Sequence, residues 1–231
     1  MNEQAIFELL EQHKNQRGID NWLKVHGEDF ALTSYGIGLT VHRKLAKQIG
    51  RNRELAQQLW QSNNYDAKVI ALLIDDPKQI TKAQAEQQVE QLHGGFLAHV
   101  FSSCDATLAK TSFVVELLEE WIESSDEVRV RCGYGLLYEV AKWKKKSAPD
   151  DQYFLDHISN IAQRYKGQPT NVLMAMAGAL LAIGGRNITL NTAALELARE
   201  IGPITFSDTC DPMDVAKNLT SDSMKKKLGI R

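Results

Sequence analysis

The chain is short of the residues that interrupt helices and divide domains. It has five prolines in 231 residues and no Gly/Ser-rich linker. Nothing therefore marks a second domain, and residues 1–231 read as one domain long enough to bury a sizeable core. Cysteine is also scarce. Cys104, Cys132 and Cys210 lie far apart and make no CxxC pair or zinc spacing. Their odd number, without a secretory signal, points to a reducing cytoplasm. His93 and His99 are six apart, the other histidines are scattered, and no metal is expected. The longest apolar run, VLMAMAGALLAIGG from Val172, is too short and too glycine-rich to span a bilayer. Gly94-Gly95 lacks the lysine and the strand that a phosphate loop requires. The net charge of −2 excludes a global polycation, so a nucleic-acid partner would need a local basic face.

What the chain does have is helical periodicity. The segments 5–13, 41–50, 53–60, 65–75, 82–93, 96–104, 112–125, 127–143, 153–165, 171–184 and 193–202 each place apolar residues on one side, and alternating β-branched runs are few. The expected class is all-α. Short helices joined by short links suggest paired-helix repeats stacked into a curved solenoid of HEAT-like type, with an irregular bundle as the alternative. An internal echo supports the repeats. EVRVRCGYGLLYEV and TNVLMAMAGALLAI align with Gly135 over Gly178, and Cys132 over Ala175. Small residues there would let neighbouring helices approach closely. The 171–184 helix is apolar nearly all round and is expected to lie inside the array.

The charges are segregated. HRKLAKQIGRNR (42–53) carries Arg43, Lys44, Lys47, Arg51 and Arg53 with no acid. Arg43 and Lys47 are i,i+4 neighbours. Arg129 and Arg131 open one helix, and Lys142, Lys144, Lys145 and Lys146 surround Trp143. Lys225, Lys226 and Lys227 close the chain, whereas Glu116, Glu119, Glu120 and Glu123 gather on another helix. Each basic run alone is compatible with a solvated helix face. Together they favour a surface for a phosphate backbone.

The stretch YGIGLTVHRKLAKQIGRNRELAQQLWQSNNYDAKVIALLIDDP (35–77) resembles the N-terminal signature of the DNA alkylation repair enzymes built from HEAT-like repeats, the AlkD-like group. The shared pattern is a YG[IV] entry, a basic helix, ELAxxLW, and a tyrosine-led helix stopped by DDP. SSCD (102–105) and the 171–184 helix continue it, so the resemblance covers about 30–185. The tail 204–231 is divergent and does not place on the best-known members. The resemblance implies a DNA N-glycosylase that removes cationic N3- and N7-alkylated purines without metal or redox cofactor. It also implies a monomer associated with the nucleoid, holding double-stranded DNA, alkylated or distorted, in a concave basic channel. Residue by residue, Asp105 matches the catalytic aspartate and Tyr35 the cleft tyrosine. Phe101 and Ala179 stand at the positions of two cleft tryptophans. Arg131, or Arg129 one register away, matches a phosphate-contacting arginine. Arg43, Lys44, Lys47, Arg51, Lys142 and Lys144 complete the expected backbone contacts.

The departures have physical weight. An aspartate stabilises a departing glycosyl cation best where water is excluded. Phenylalanine offers a weaker π-face than tryptophan and alanine offers none, a loss of about 0.5–2 kcal/mol in a desolvated site. Leu97, Phe101 and Asp105 are spaced i, i+4, i+8, which would put all three on one helix face. Alternatively, Asp105 caps a helix starting near Ala106. Cys104, with no histidine beside it in sequence, reads as a core thiol. Three functions stay open: a glycosylase, a non-catalytic binder of damaged or branched DNA, and a protein–protein scaffold.

Overall fold

The computed structural model describes residues 1–205 and 211–230. The helices form two compact units, Met1–Ser112 and Phe113–Arg231. Cys210 lies outside the described residues.

The first unit holds α1 (Glu3–Gln12), α2 (Gln16–His26), α3 (Leu39–Ile49), α4 (Arg53–Trp60), α5 (Tyr65–Ile74), α6 (Lys82–Val89) and α7 (Leu97–Ser102), then a 3-10 turn, Leu108–Lys110. Asn2, Asn15, Asn52, Asn64 and Thr81 cap five of these helices, each side chain accepting the backbone N–H three residues on. Such caps contribute about 1 kcal/mol each. Helix α5 is the hub. Nine of its ten residues are buried, and α1, α3, α4 and α7 pack around it. Helix α2 was not expected from periodicity. Its residue Trp22 is buried, donates from Nε1 to Leu32 O at 3.2 Å, and packs on His26, Phe30 and Tyr65.

The YGIG entry is organised by one carboxylate. Asp66 is fully buried on α5. Its Oδ2 accepts from Ser34 Oγ (2.9 Å) and Tyr35 N (2.6 Å), and its Oδ1 from Ile37 N (3.2 Å) and His42 Nε2 (2.9 Å). Four donors offset the penalty of burying the charge. Gly36 has φ +71, and a Cβ on Gly18 would stand 2.0 Å from its carbonyl oxygen. Both positions therefore require glycine.

The second unit holds α8 (Val114–Ile122), α9 (Glu127–Ala141), α10 (Asp151–Arg164), α11 (Thr170–Gly184), α12 (Ile188–Ile201), α13 (Val215–Leu219) and α14 (Asp222–Leu228). Helices α9 and α11 have equal length and pack on each other, α9 also packs on α8, and α11 on α12 and α13. This is the repeat seen in the sequence echo. Two neighbouring glycines make close approaches. A Cβ on Gly133 would stand 2.9 Å from Ile122 N, and one on Gly184 would stand 2.6 Å from Leu219 Cδ2. A Cβ on Gly178 would meet nothing nearer than Tyr138 at 3.9 Å. The tail belongs to this core: Val215 and Leu219 are buried, and Asn191 Nδ2 donates to Gly184 O and Leu219 O. Among the described residues, β-structure is limited to two isolated bridges, Thr33 with Asn64 and Ile204 with Met213. No described helix is long and apolar enough to cross a membrane.

Candidate nucleic-acid interface

The loop carrying Asp105 differs from the expected continuous helix. Helix α7 ends at Ser102, and the chain then turns through the left-handed region at Cys104 (φ 55) and Asp105 (φ 67). Asp105 is exposed, while Leu97 and Phe101 point into the core at 0% and 3% exposure. The shared face therefore breaks after Phe101. Phe101 lines a small internal pocket of the first unit with Leu72, Ile80 and Leu108 and is absent from the lining of the aspartate's cleft. The residue before the 3-10 turn is Thr107, and its side chain makes no capping bond. Cys104 also departs from the core-thiol reading. It is half-buried, and its Sγ lies 2.8 Å from His99 Nε2, a contact five residues apart in sequence.

Asp105 opens into a cleft of about 250 Å³, whose cations are Arg43, Lys47, Arg51 and Lys110. Arg43 and Lys47 come from one face of α3, as their spacing predicts. Arg43 Nη2 donates to Cys104 O at 3.1 Å and so ties the basic helix to the left-handed turn. Arg51 Nη1 donates to Leu73 O (2.9 Å), Asp75 O (2.7 Å) and Thr107 Oγ1 (2.9 Å), closing the C-terminal carbonyls of α5. Arg53 is structural: its Nη1 lies 3.1 Å from both carboxylate oxygens of buried Asp75 and donates to Gln84. Lys44 is exposed on α3 but does not line the cleft. Tyr35 is half-buried and outside the cleft lining. Its hydroxyl pKa is raised, by burial first and then by Glu11. Lys110 was not singled out in the sequence, because only the fold brings it beside Arg43.

In the second unit, Ala179 is fully buried and presents no surface for a ligand. Arg131 is half-buried on α9, and Arg129 lies 3.8 Å from Asp126 in the first turn of that helix. Lys142 pairs with Glu139 at 2.9 Å, with Nζ 4.7 Å from the Tyr138 ring centroid. Lys142 and Lys144 line a cavity of about 900 Å³ with Trp143, Arg186 and Lys227. Arg186 Nη1 donates to Ala141 O (2.6 Å) and Trp143 O (3.2 Å) and stacks on Phe154.

Arg51 and Arg186 repeat one device. Gly50-Arg51-Asn52 and Gly185-Arg186-Asn187 each end a helix at the glycine, hold a neighbouring helix's last carbonyls with the arginine, and cap the next helix with the asparagine. The recurring Gly-Arg-Asn tripeptide was the signal that would have found Arg186.

Short paired helices with cations gathered in clefts define an all-α repeat protein. The chain belongs to the DNA alkylation repair enzyme family, which it matches over residues 6–206. The uncharacterized protein Lin0241 of Listeria innocua is 24% identical over 188 residues, covering 78% of this chain and 77% of its own length. The uncharacterized protein Lmo0209 of Listeria monocytogenes is 26% identical over 189 residues, with the same coverage. One solved structure is similar at a TM-score of 0.82 and 21% identity, covering 100% of this chain and 97% of its own. It represents a new family of proteins related to the HEAT-like repeat DNA glycosylases with affinity for branched DNA structures. That likeness establishes the fold as an α-solenoid of HEAT-like repeats.

Proposed function

We propose that the protein binds the phosphate backbone of distorted or branched DNA and does not excise alkylated bases. The cleft around Asp105 carries the reading. It has four cations for phosphates, yet among the described residues no aromatic side chain lines it to hold an alkylated base. Phe101 and Ala179, at the tryptophan positions of the AlkD-like pattern, are both buried. The four cations also offset the charge that Asp105 would offer a glycosyl cation. Family membership and the branched-DNA affinity of the structural relative support the DNA partner. The cell's chromosome is then its place of work.

Binding to a four-way junction and to plain duplex of equal length, measured over a salt series, tests this. The junction is expected to bind more tightly. Arg43→Ala with Lys47→Ala should reduce the salt slope by about 2, one phosphate per cation. Equal affinity for both DNAs, or a slope unchanged by the double substitution, would overturn the reading. One observation favours catalysis: Asp105 is exposed in a cleft on a backbone pair in a strained region, as functional residues often are. Release of 7-methylguanine from alkylated duplex, abolished by Asp105→Asn, would establish that reading instead.

A further inference from the structure

The cavity of the second unit has a composition that backbone binding alone does not explain. Lys142, Lys144, Arg186 and Lys227 line it, and among the described residues no carboxylate does. Two aromatic side chains, Tyr138 and Trp143, also line it. Its volume of about 900 Å³ lies within the range of small-molecule pockets and exceeds what a lone phosphate needs. A neutral ligand would not call for four cations, and a bare anion would not call for an indole. An unpaired nucleotide uses both, with phosphate on the cations and base on the ring.

The cations are placed rather than merely present. Arg186 is held by the carbonyls of Ala141 and Trp143 and by the Phe154 ring, so its position is set before any ligand arrives. Lys142 is steadied by Glu139. Lys227 comes from α14, in the tail that sequence comparison left unplaced, and its Nζ lies over Gly185, 2.8 Å from where a Cβ would stand. A side chain at 185 would push that ammonium aside. Trp143 is half-buried, with Lys145 Nζ 3.2 Å from its ring centroid. The other three tryptophans, Trp22, Trp60 and Trp121, are buried.

We propose that this cavity is a nucleoside-phosphate site, filled either by a free nucleotide or by the unpaired end of a DNA strand. Its lining residues belong to the second unit, and those of the Asp105 cleft belong to the first. The strand-end source rests on the DNA-binding reading above; the nucleotide chemistry does not.

The full-length protein is titrated with deoxyadenosine monophosphate, with a 5′-phosphorylated single-stranded oligonucleotide, with blunt duplex and with inorganic phosphate, while tryptophan emission is followed. The nucleotide and the oligonucleotide should quench saturably. Trp143→Leu should remove the quench and weaken binding about tenfold, the scale of one base–aromatic stack. Lys144→Gln with Lys227→Gln should weaken both ligands, and Gly185→Ala should do so by displacing Lys227 alone. Tighter binding of the oligonucleotide identifies a strand end as the source, and equal binding identifies a free nucleotide. Arg43→Ala with Lys47→Ala should weaken duplex binding while the nucleotide still quenches. If duplex binds but neither nucleotide nor oligonucleotide does, the site is refuted and the DNA reading stands. Inorganic phosphate binding as tightly as the nucleotide also refutes it, because the aromatic wall would then contribute nothing.

Discussion

Cys104 Sγ and His99 Nε2 lie 2.8 Å apart across the end of α7, one residue before Asp105. Cys104 is half-buried, whereas Cys132 is fully buried. Thiol reactivity follows access and such neighbours. Iodoacetamide should therefore label Cys104 well before Cys132 in the native protein, and His99→Ala should slow Cys104 labelling. Peptide mapping reads the two sites separately. Equal rates at Cys104 and Cys132 would contradict the structure.

The left-handed backbone at Asp105 restricts what can replace it. Asparagine tolerates this region nearly as well as aspartate, while a β-branched residue does not. Asp105→Val should lower stability by about 1–3 kcal/mol, and Asp105→Asn should leave it nearly unchanged. Removing an exposed anion from among Arg43, Lys47, Arg51 and Lys110 should also make Asp105→Asn bind DNA a few-fold more tightly at low salt. Chemical unfolding and DNA titration of both variants check the two statements.

Asp66 is a fully buried carboxylate that accepts four hydrogen bonds in the first unit. Asp66→Ala leaves Ser34 Oγ, two backbone N–H groups and His42 Nε2 without their acceptor. The expected loss is about 3–5 kcal/mol. Thermal unfolding should move down by roughly 10 °C. A loss below about 1 kcal/mol would mean that water replaces the carboxylate.

Glu119 in the second unit should contribute to acid sensitivity. Burial alone would raise the Glu119 carboxyl, but His157, 3.0 Å away, and Tyr153 outweigh it and leave its pKa below the ordinary value. A depressed folded pKa gives stability that is present above the unfolded value and is lost as pH falls through the folded one. Wild type should therefore lose stability as pH falls from about 5 towards 3. Glu119→Gln should flatten that part of the profile, with little change in slope above pH 6. Denaturant unfolding at stepped pH measures it.

Most helices were legible because their apolar residues recur at helical spacing and their ends carry glycine or a capping asparagine. Helix α2 was missed because Gly18 and polar residues fill its first turns; Gly18 is there to touch Gly36, a contact that periodicity does not show. The Asp105 loop was misread for the opposite reason. Spacing of four extends past Phe101 on paper, and neither Cys104 nor Asp105 announces a left-handed turn. Arg43 and Lys47 could be read as one face from i,i+4 spacing alone. Lys110 joins them only through the fold of the first unit, as Lys227 joins Arg186 only through packing of the tail. Clefts assembled from distant segments leave no local pattern.

The twin Gly-Arg-Asn junctions give each unit a clasp whose arginine also lines a cleft. Arg51 keeps the end of α5 from fraying, and Arg186 does the same for α9. Any anion that draws on either guanidinium alters the clasp with which it shares charge. Occupancy should thus be written into local breathing: amide exchange near Leu73–Asp75 would report the first cleft, and exchange near Ala141–Trp143 the second. Each unit would carry its own gauge of what it holds.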